Sequence, residues 1–254
     1  MIHQTHLQFD AHLSRQKPES IRNRATACPF CVRDSLEDIL AEQGTIVLLK
    51  NKFPVLQDTF QTVLIETDQC ESDLWEYDRD HLLALIRFGV EQWMAMEASG
   101  AYRSVIFYKN HGPLSGGSLR HPHMQIVGLK HMDYRATVTL DQFEGAVIDA
   151  KPGVELNIST KPRVGFFEWN VILRDREQLD AWAVYIQLTV DYMMNHFNKN
   201  CTSYNLFFYE LDGALYAKIV PRFPTSPLYV GYGLPQVPQN LGDHVQAMQE
   251  RYFG

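Results

Sequence analysis

Two imidazoles and an amide stand two residues apart in His121-Pro122-His123-Met124-Gln125. On a β-strand, positions i, i+2 and i+4 share a face. The spacing therefore expects His121, His123 and Gln125 to point together while Met124 and Ile126 enter a core. Pro122 has no N–H for a ladder, which puts the run at a strand start or an edge. A neutral imidazole is a nucleophile and proton carrier near pH 7. Immediately upstream lies Asn110-His111-Gly112-Pro113-Leu114-Ser115-Gly116-Gly117-Ser118. Its glycines let backbone N–H groups turn inward, and Ser118 adds a hydroxyl, an arrangement suited to phosphate oxygens. The same residues also fit a turn flanked by two surface histidines. Far upstream, Cys28-Pro29-Phe30-Cys31 has the spacing of half a metal site. His3, His6, His12, His81, His131, His196 and His244 lie in no motif and read as surface or packing residues; His111 sits beside the cluster.

The elements that must carry these residues follow from hydrophobic period. Residues 45–50, 60–66, 104–109 and 121–127 read as strands, rich in β-branched and aromatic side chains. Residues 78–96 read as a helix, because Leu82, Leu85, Ile86, Trp93 and Met96 fall on one helical face; Asp78 or Asp80 supplies a cap. The second half repeats this order. Leu179, Trp182, Ala183, Val190 and Met193 each stand 97 positions after their counterparts. Strands are expected at 154–160, 164–169, 204–210 and 215–220. The pattern is that of an internal duplication of a strand–helix–strand–strand unit. Residues 1–27 show no period. From Pro221 on, five prolines to Pro238 predict an extended, wrapping tail, closed by a short helix at 242–252.

Composition limits the function. The 254 residues carry a formal charge of −7, which disfavours duplex nucleic-acid binding. No apolar run approaches a membrane span, and the polar, His-rich start is unlike a signal peptide. A cytoplasmic protein is expected. Four cysteines are too few for a disulfide framework.

Lys109-Asn110-His111-Gly112-Pro113-Leu114-Ser115-Gly116-Gly117-Ser118-Leu119-Arg120-His121-Pro122-His123-Met124-Gln125 resembles the active-site segment of galactose-1-phosphate uridylyltransferase-like proteins, the nucleotidyltransferase branch of the histidine-triad (HIT) superfamily. Three further elements are similar: the Cys28–Cys31 pair, Asn51-Lys52-Phe53-Pro54, and Tyr229-Val230-Gly231-Tyr232. The likeness spans roughly residues 24–234. It implies an α+β fold of two tandem HIT-like halves, antiparallel sheets with a long helix packed on each. The first half would be residues 1–150, with the zinc site and the H-P-H-M-Q motif. The second would be residues 151–254, degenerate and ending in the wrapping tail.

Carried over by position, the resemblance implies that His123 is the nucleophile and forms a nucleotidyl-histidine. Gln125 and Ser118 would bind phosphoryl oxygens. Asn51, Asn110, Gly116, Gly117 and Tyr232 would complete the nucleotide site. Structural zinc would be held by Cys28, Cys31, Cys70 and His121, with Cys70 standing where the family has a histidine; Cys201 is spare. The stretch 215–221 lacks the histidines of the family's second metal site. Where the family reads V-G-Y-E, this chain reads V-G-Y-G, with Gly233 at the place of the sugar-contacting glutamate. The expected activity is nucleotidyl transfer on a nucleotide sugar or related nucleoside diphosphate. The alternatives are a phosphorylase or hydrolase of dinucleoside polyphosphates or nucleotide sugars, or a non-catalytic nucleotide-binding protein. Family habit suggests a homodimer.

Overall fold

The computed structural model describes residues 6–254; His3 lies outside them. The chain divides into two compact units. One takes the residues up to Asp73 and Ala84–Ala136, the other Leu74–Leu83 and Thr137–Gly254.

After a short helix α1 (Ala11–Arg15), the first unit has strands β1 (Ile39–Gln43), β2 (Ile46–Lys50) and β3 (Thr59–Ile65). Helix α2 (Arg79–Ala98), which counts with this unit from Ala84 on, β4 (Ser104–His111) and β5 (His123–Leu129) follow. The strands are antiparallel in the order β1-β2-β3-β5-β4. Leu85, Ile86 and Trp93 of α2 are buried, as their spacing requires. Trp93 Nε1 donates to the Val105 carbonyl at 2.9 Å. Gly89 is the point of closest approach: a Cβ there would lie 2.8 Å from the Phe107 ring. Phe107 thus faces α2, and so does its cross-strand partner Ile126. His123 and Gln125, of the opposite parity on β5, face away from the helix. Asp78 caps α2, its carboxylate accepting from His81 N–H at 2.9 Å.

The second unit has β6 (Gly145–Lys151), β7 (Val154–Ser159), β8 (Trp169–Leu173), α3 (Leu179–Asp191), β9 (Tyr204–Leu211) and β10 (Ala214–Pro221). Its strands run in the order β6-β7-β8-β10-β9, the same sequence of pairings as in the first unit. Trp182 of α3 donates to the Val171 carbonyl at 2.9 Å and packs on Phe208. The tail contains α4 (Pro227–Tyr232) and α5 (Leu241–Tyr252).

Several expectations need correction. The strand expected at 164–169 begins only at Trp169. Residues 163–165 instead turn their N–H groups onto the buried Glu168 carboxylate, at 2.9, 3.0 and 3.4 Å. The proline-rich tail is not wholly extended. Pro227 takes the first turn of α4, where its missing N–H costs nothing, and Ser226 caps that helix. Gly233 ends it at φ +66°, with its N–H on the Tyr229 carbonyl. β5 opens at His123, so His121 stands outside the strand, in the bend before it. The α1 helix and strands β1 and β6 were not anticipated.

Candidate active site and metal centre

The ligand atoms of Cys28, Cys31, Cys70 and His121 all lie within 4.8 Å of one another. Cys28 and Cys31 come from a tight turn closed by Cys31 N–H on the Cys28 carbonyl. Cys70 comes from the segment after β3, and His121 from the bend before β5. His121 Nδ1 is 3.5 Å from Cys28 Sγ and 3.6 Å from Cys31 Sγ. Its Nε2 is 2.8 Å from the Thr67 carbonyl. A carbonyl only accepts, so Nε2 carries the proton and the Nδ1 lone pair faces the sulfurs, the arrangement of a metal-ligating histidine. Arg33 donates to the same carbonyl. Burial, and then the neighbouring sulfurs of Cys70 and Cys28, push the Cys31 thiol to about 12; burial also raises Cys28. Three crowded sulfurs in this setting give up their protons to a cation far more readily than to water. Three thiolates and one imidazole fit zinc in a closed tetrahedron.

His123 begins β5 beside this centre. Its Nδ1 lies 2.8 Å from the His121 carbonyl. The proton is therefore on Nδ1, and Nε2 carries a lone pair. Burial pushes the imidazole down to about 4, keeping it neutral. The Phe30 ring stands edge-on to both His121 and His123, with centroids 5.7 and 5.6 Å away. Gln125 shares the His123 face, paired across strands with Val63 and Tyr108. Asn110 falls opposite His123 one step beyond the last Lys109–Met124 pair. A Cβ on Gly117 would lie 3.4 Å from Asn110 Cβ, which places the glycine loop beside it.

The loop itself is pinned. Ser115 Oγ donates to the Gly112 carbonyl and accepts from Gly117 N–H at 3.2 Å. Gly117 thus spends its amide within the loop. Gly116 adopts φ +88°, a conformation open to glycine at no cost. Ser20 and Ile21 of the N-terminal segment donate to the Ser118 carbonyl, at 2.8 and 3.4 Å. Asn51 Oδ1 accepts from Phe53 N–H at 2.8 Å, fixing a turn after β2. Tyr232 is carried by the second unit on α4 and is 77 % exposed.

Behind β4 lies a buried ionic group. Lys109 Nζ is 2.5 Å from Glu66 and 2.9 Å from Asp73, and Asp73 also takes His111 Nδ1 at 3.1 Å. Burial opposes the ammonium, but the two carboxylates outweigh it and hold Lys109 above its ordinary value. Sequence reasoning missed Phe30, Thr67, Tyr108, Ser115 and this ion cluster. Strand parity alone, which sets Tyr108 on the Gln125 face, could have found the tyrosine.

Comparisons with known proteins address the family and the fold. The profile described as "Domain of unknown function (DUF4931) N-terminal domain" matches residues 9–132, and its C-terminal counterpart matches 135–253. A solved DUF4931 family protein from Bacillus cereus is 49 % identical, covering 85 % of this chain and 100 % of its own, with a TM-score of 0.79. An ADP-glucose phosphorylase from Arabidopsis thaliana, solved with bound ADP-glucose, is 15 % identical over 94 % of this chain and 92 % of its own, TM-score 0.73. A uridylyltransferase structure is 15 % identical over 90 % and 93 %, TM-score 0.70. These two likenesses show the fold, an α+β architecture with antiparallel strands, as the H-P-H-M-Q resemblance implied. A curated di-/tripeptide transporter of Lactobacillus helveticus is 31 % identical over 94 residues, 37 % of this chain. The match spans 19 % of that relative's length. Among the described residues no helix is long and apolar enough to cross a membrane.

Proposed function

This chain belongs to the DUF4931 family, and from that premise we propose that it is a nucleotidyltransferase acting on nucleotide sugars or related nucleoside diphosphates through His123. The carrying observation is the 2.8 Å hydrogen bond from His123 Nδ1 to the His121 carbonyl, which leaves Nε2 with its lone pair. In the first half-reaction Nε2 attacks the α-phosphorus. The N–P bond forms as the bond to the bridging oxygen breaks, and the sugar phosphate leaves with the electron pair. In the second, an acceptor phosphate oxygen attacks the same phosphorus and the pair returns to Nε2. No proton has to move at His123 in either step. Gln125 and Ser118 would donate to phosphoryl oxygens, with Asn110, Gly116 and Gly117 shaping the phosphate loop and Asn51 contributing to the nucleoside site. Phosphate as acceptor would make the enzyme a phosphorylase. Gln125, standing where hydrolytic histidine-triad proteins generally have a histidine, favours transfer or phosphorolysis over hydrolysis.

Zinc on Cys28, Cys31, Cys70 and His121 would supply structure, since four protein ligands leave no open position. Because His121 would be a ligand and its carbonyl holds His123, the metal set and the nucleophile share one residue. The common strand order of the two units supports reading them as tandem HIT-like halves, with the chemistry in the first.

The test is labelling. Protein incubated with α-phosphate-labelled UDP-glucose, ADP-glucose or diadenosine polyphosphate should retain acid-labile label on His123, with ping-pong kinetics. His123→Gln should lose both label and turnover. Undiminished turnover in that variant rules the mechanism out.

A further inference from the structure

The second unit contains a concavity of about 240 Å³ lined by Arg163, Glu168, Asn205, Phe207, Tyr209, Lys218 and Arg222, with Val164 and Val220 at its sides. It lies on the sheet face that α3 leaves uncovered: Phe208 packs on Trp182 of α3, and Phe207 and Tyr209 have the opposite parity on β9. Its floor is a closed polar lattice. Lys218 Nζ contacts Glu168 at 2.9 Å, Asn170 Oδ1 at 2.7 Å and the Gln142 carbonyl at 2.9 Å. Lys218, Glu168 and Asn205 are each 1 % exposed. One wall, residues 163–165, is fastened by the other oxygen of Glu168, so the pocket is preformed.

Charge in this pocket does not balance. Lys218 and Glu168 neutralise each other. Arg222 donates to the Asn205 amide oxygen at 2.6 Å, and Arg163 reaches the Thr137 carbonyl at 3.4 Å. Both acceptors are neutral, and among the described residues neither guanidinium forms an ion pair with a carboxylate. In a chain of net charge −7, two half-buried arginines line one cavity without a counter-charge. Each keeps unused N–H donors in the planar fork that matches phosphate oxygens. Phe207 and Tyr209 offer ring surface beside them. The volume is below the usual range for drug-sized ligands and suits a single small molecule.

We propose that this pocket is an anion site for a small phosphomonoester, its phosphate on Arg163 and Arg222 and its organic part against Phe207 and Tyr209. The phosphate can come from a nucleoside monophosphate or a sugar phosphate, and the experiment separates them. Equilibrium binding of inorganic phosphate, UMP and glucose 1-phosphate is measured on the full chain carrying His123→Gln, so that no covalent chemistry intervenes. Saturable binding is expected, with UMP or glucose 1-phosphate tighter than inorganic phosphate. Arg163→Met or Arg222→Met should each weaken it roughly tenfold or more, as for loss of one charged hydrogen bond. Arg222→Lys should recover part of the loss. Arg163→Met, which gives up only a long contact to a carbonyl, serves if Arg222→Met fails to fold. Absence of binding by all three probes, or unchanged affinity in the arginine variants, overturns the site. Inorganic phosphate binding as tightly as the esters overturns the role of Phe207 and Tyr209. Failure of labelling at His123 would overturn the proposed catalysis and leave this result standing.

Discussion

The residues that could be read from the sequence are those whose side-chain chemistry is scarce. Cys28, Cys31, Cys70, His121 and His123 have few interchangeable partners, and spacing alone brought most of them forward. What stayed hidden works through groups every residue possesses. The carbonyls of Thr67 and His121 set the tautomers of His121 and His123, and no residue type advertises a carbonyl. Lys109 was hidden for another reason: its partners Glu66 and Asp73 are 43 and 36 positions away, beyond any local period. Freshly purified protein is expected to contain one equivalent of zinc by metal analysis. Cys28→Ser should lose it and destabilise the chain by ~3 kcal/mol, lowering Tm by about 6–12 °C. A full equivalent of zinc bound as tightly in Cys28→Ser would refute the four-residue set.

Among the elements, the long helices and central strands were legible because their apolar periods are sustained. The edges were not. β8 starts late because one carboxylate, Glu168, captures three N–H groups that a strand would need. The helix α4 is six residues long, too short for a period, and its signals are its caps. Gly233 is one of them, and its left-handed φ of +66° gives a backbone reason for glycine at this position. Nothing lies within 4 Å of a Cβ built there, so the cost of any side chain is the left-handed backbone alone. Gly233→Ala and Gly233→Glu should therefore destabilise equally, by about 1 kcal/mol, read from denaturant midpoints. A second element prediction concerns α5. His244 is ringed by Phe167, Phe197 and Tyr192, with its Nδ1 3.0 Å from the Tyr192 hydroxyl. Burial lowers its pKa below the ordinary value, with Asp243 only partly opposing. Below about pH 6.5 the unfolded chain thus binds a proton that the folded chain resists, and stability falls with pH. In His244→Gln that part of the acid sensitivity should vanish, and urea midpoints at pH 7.5 and 5.5 in the two proteins measure it.

For the molecule as a whole, the absent carboxylate at Gly233 predicts poor discrimination among hexoses. UDP-glucose, UDP-galactose and ADP-glucose should differ by no more than about tenfold in kcat/KM if no other group binds the sugar hydroxyls. Strong selectivity for one hexose would show that another residue does so. The two units also differ from the simple picture of a chain cut in half, since residues 74–83 count with the second. Leu74 is fully buried, and its carbonyl and that of Tyr77 take both hydrogen bonds of the Gln187 amide, at 2.9 and 2.8 Å. A fragment of residues 137–254 made alone would leave that amide and the buried surface around it bare, and is expected to aggregate. Co-expression with residues 1–136 should rescue it, and a monomeric, cooperatively melting 137–254 fragment would contradict this. The ten-residue loan means that a gene broken at the boundary could survive only where both halves are translated together.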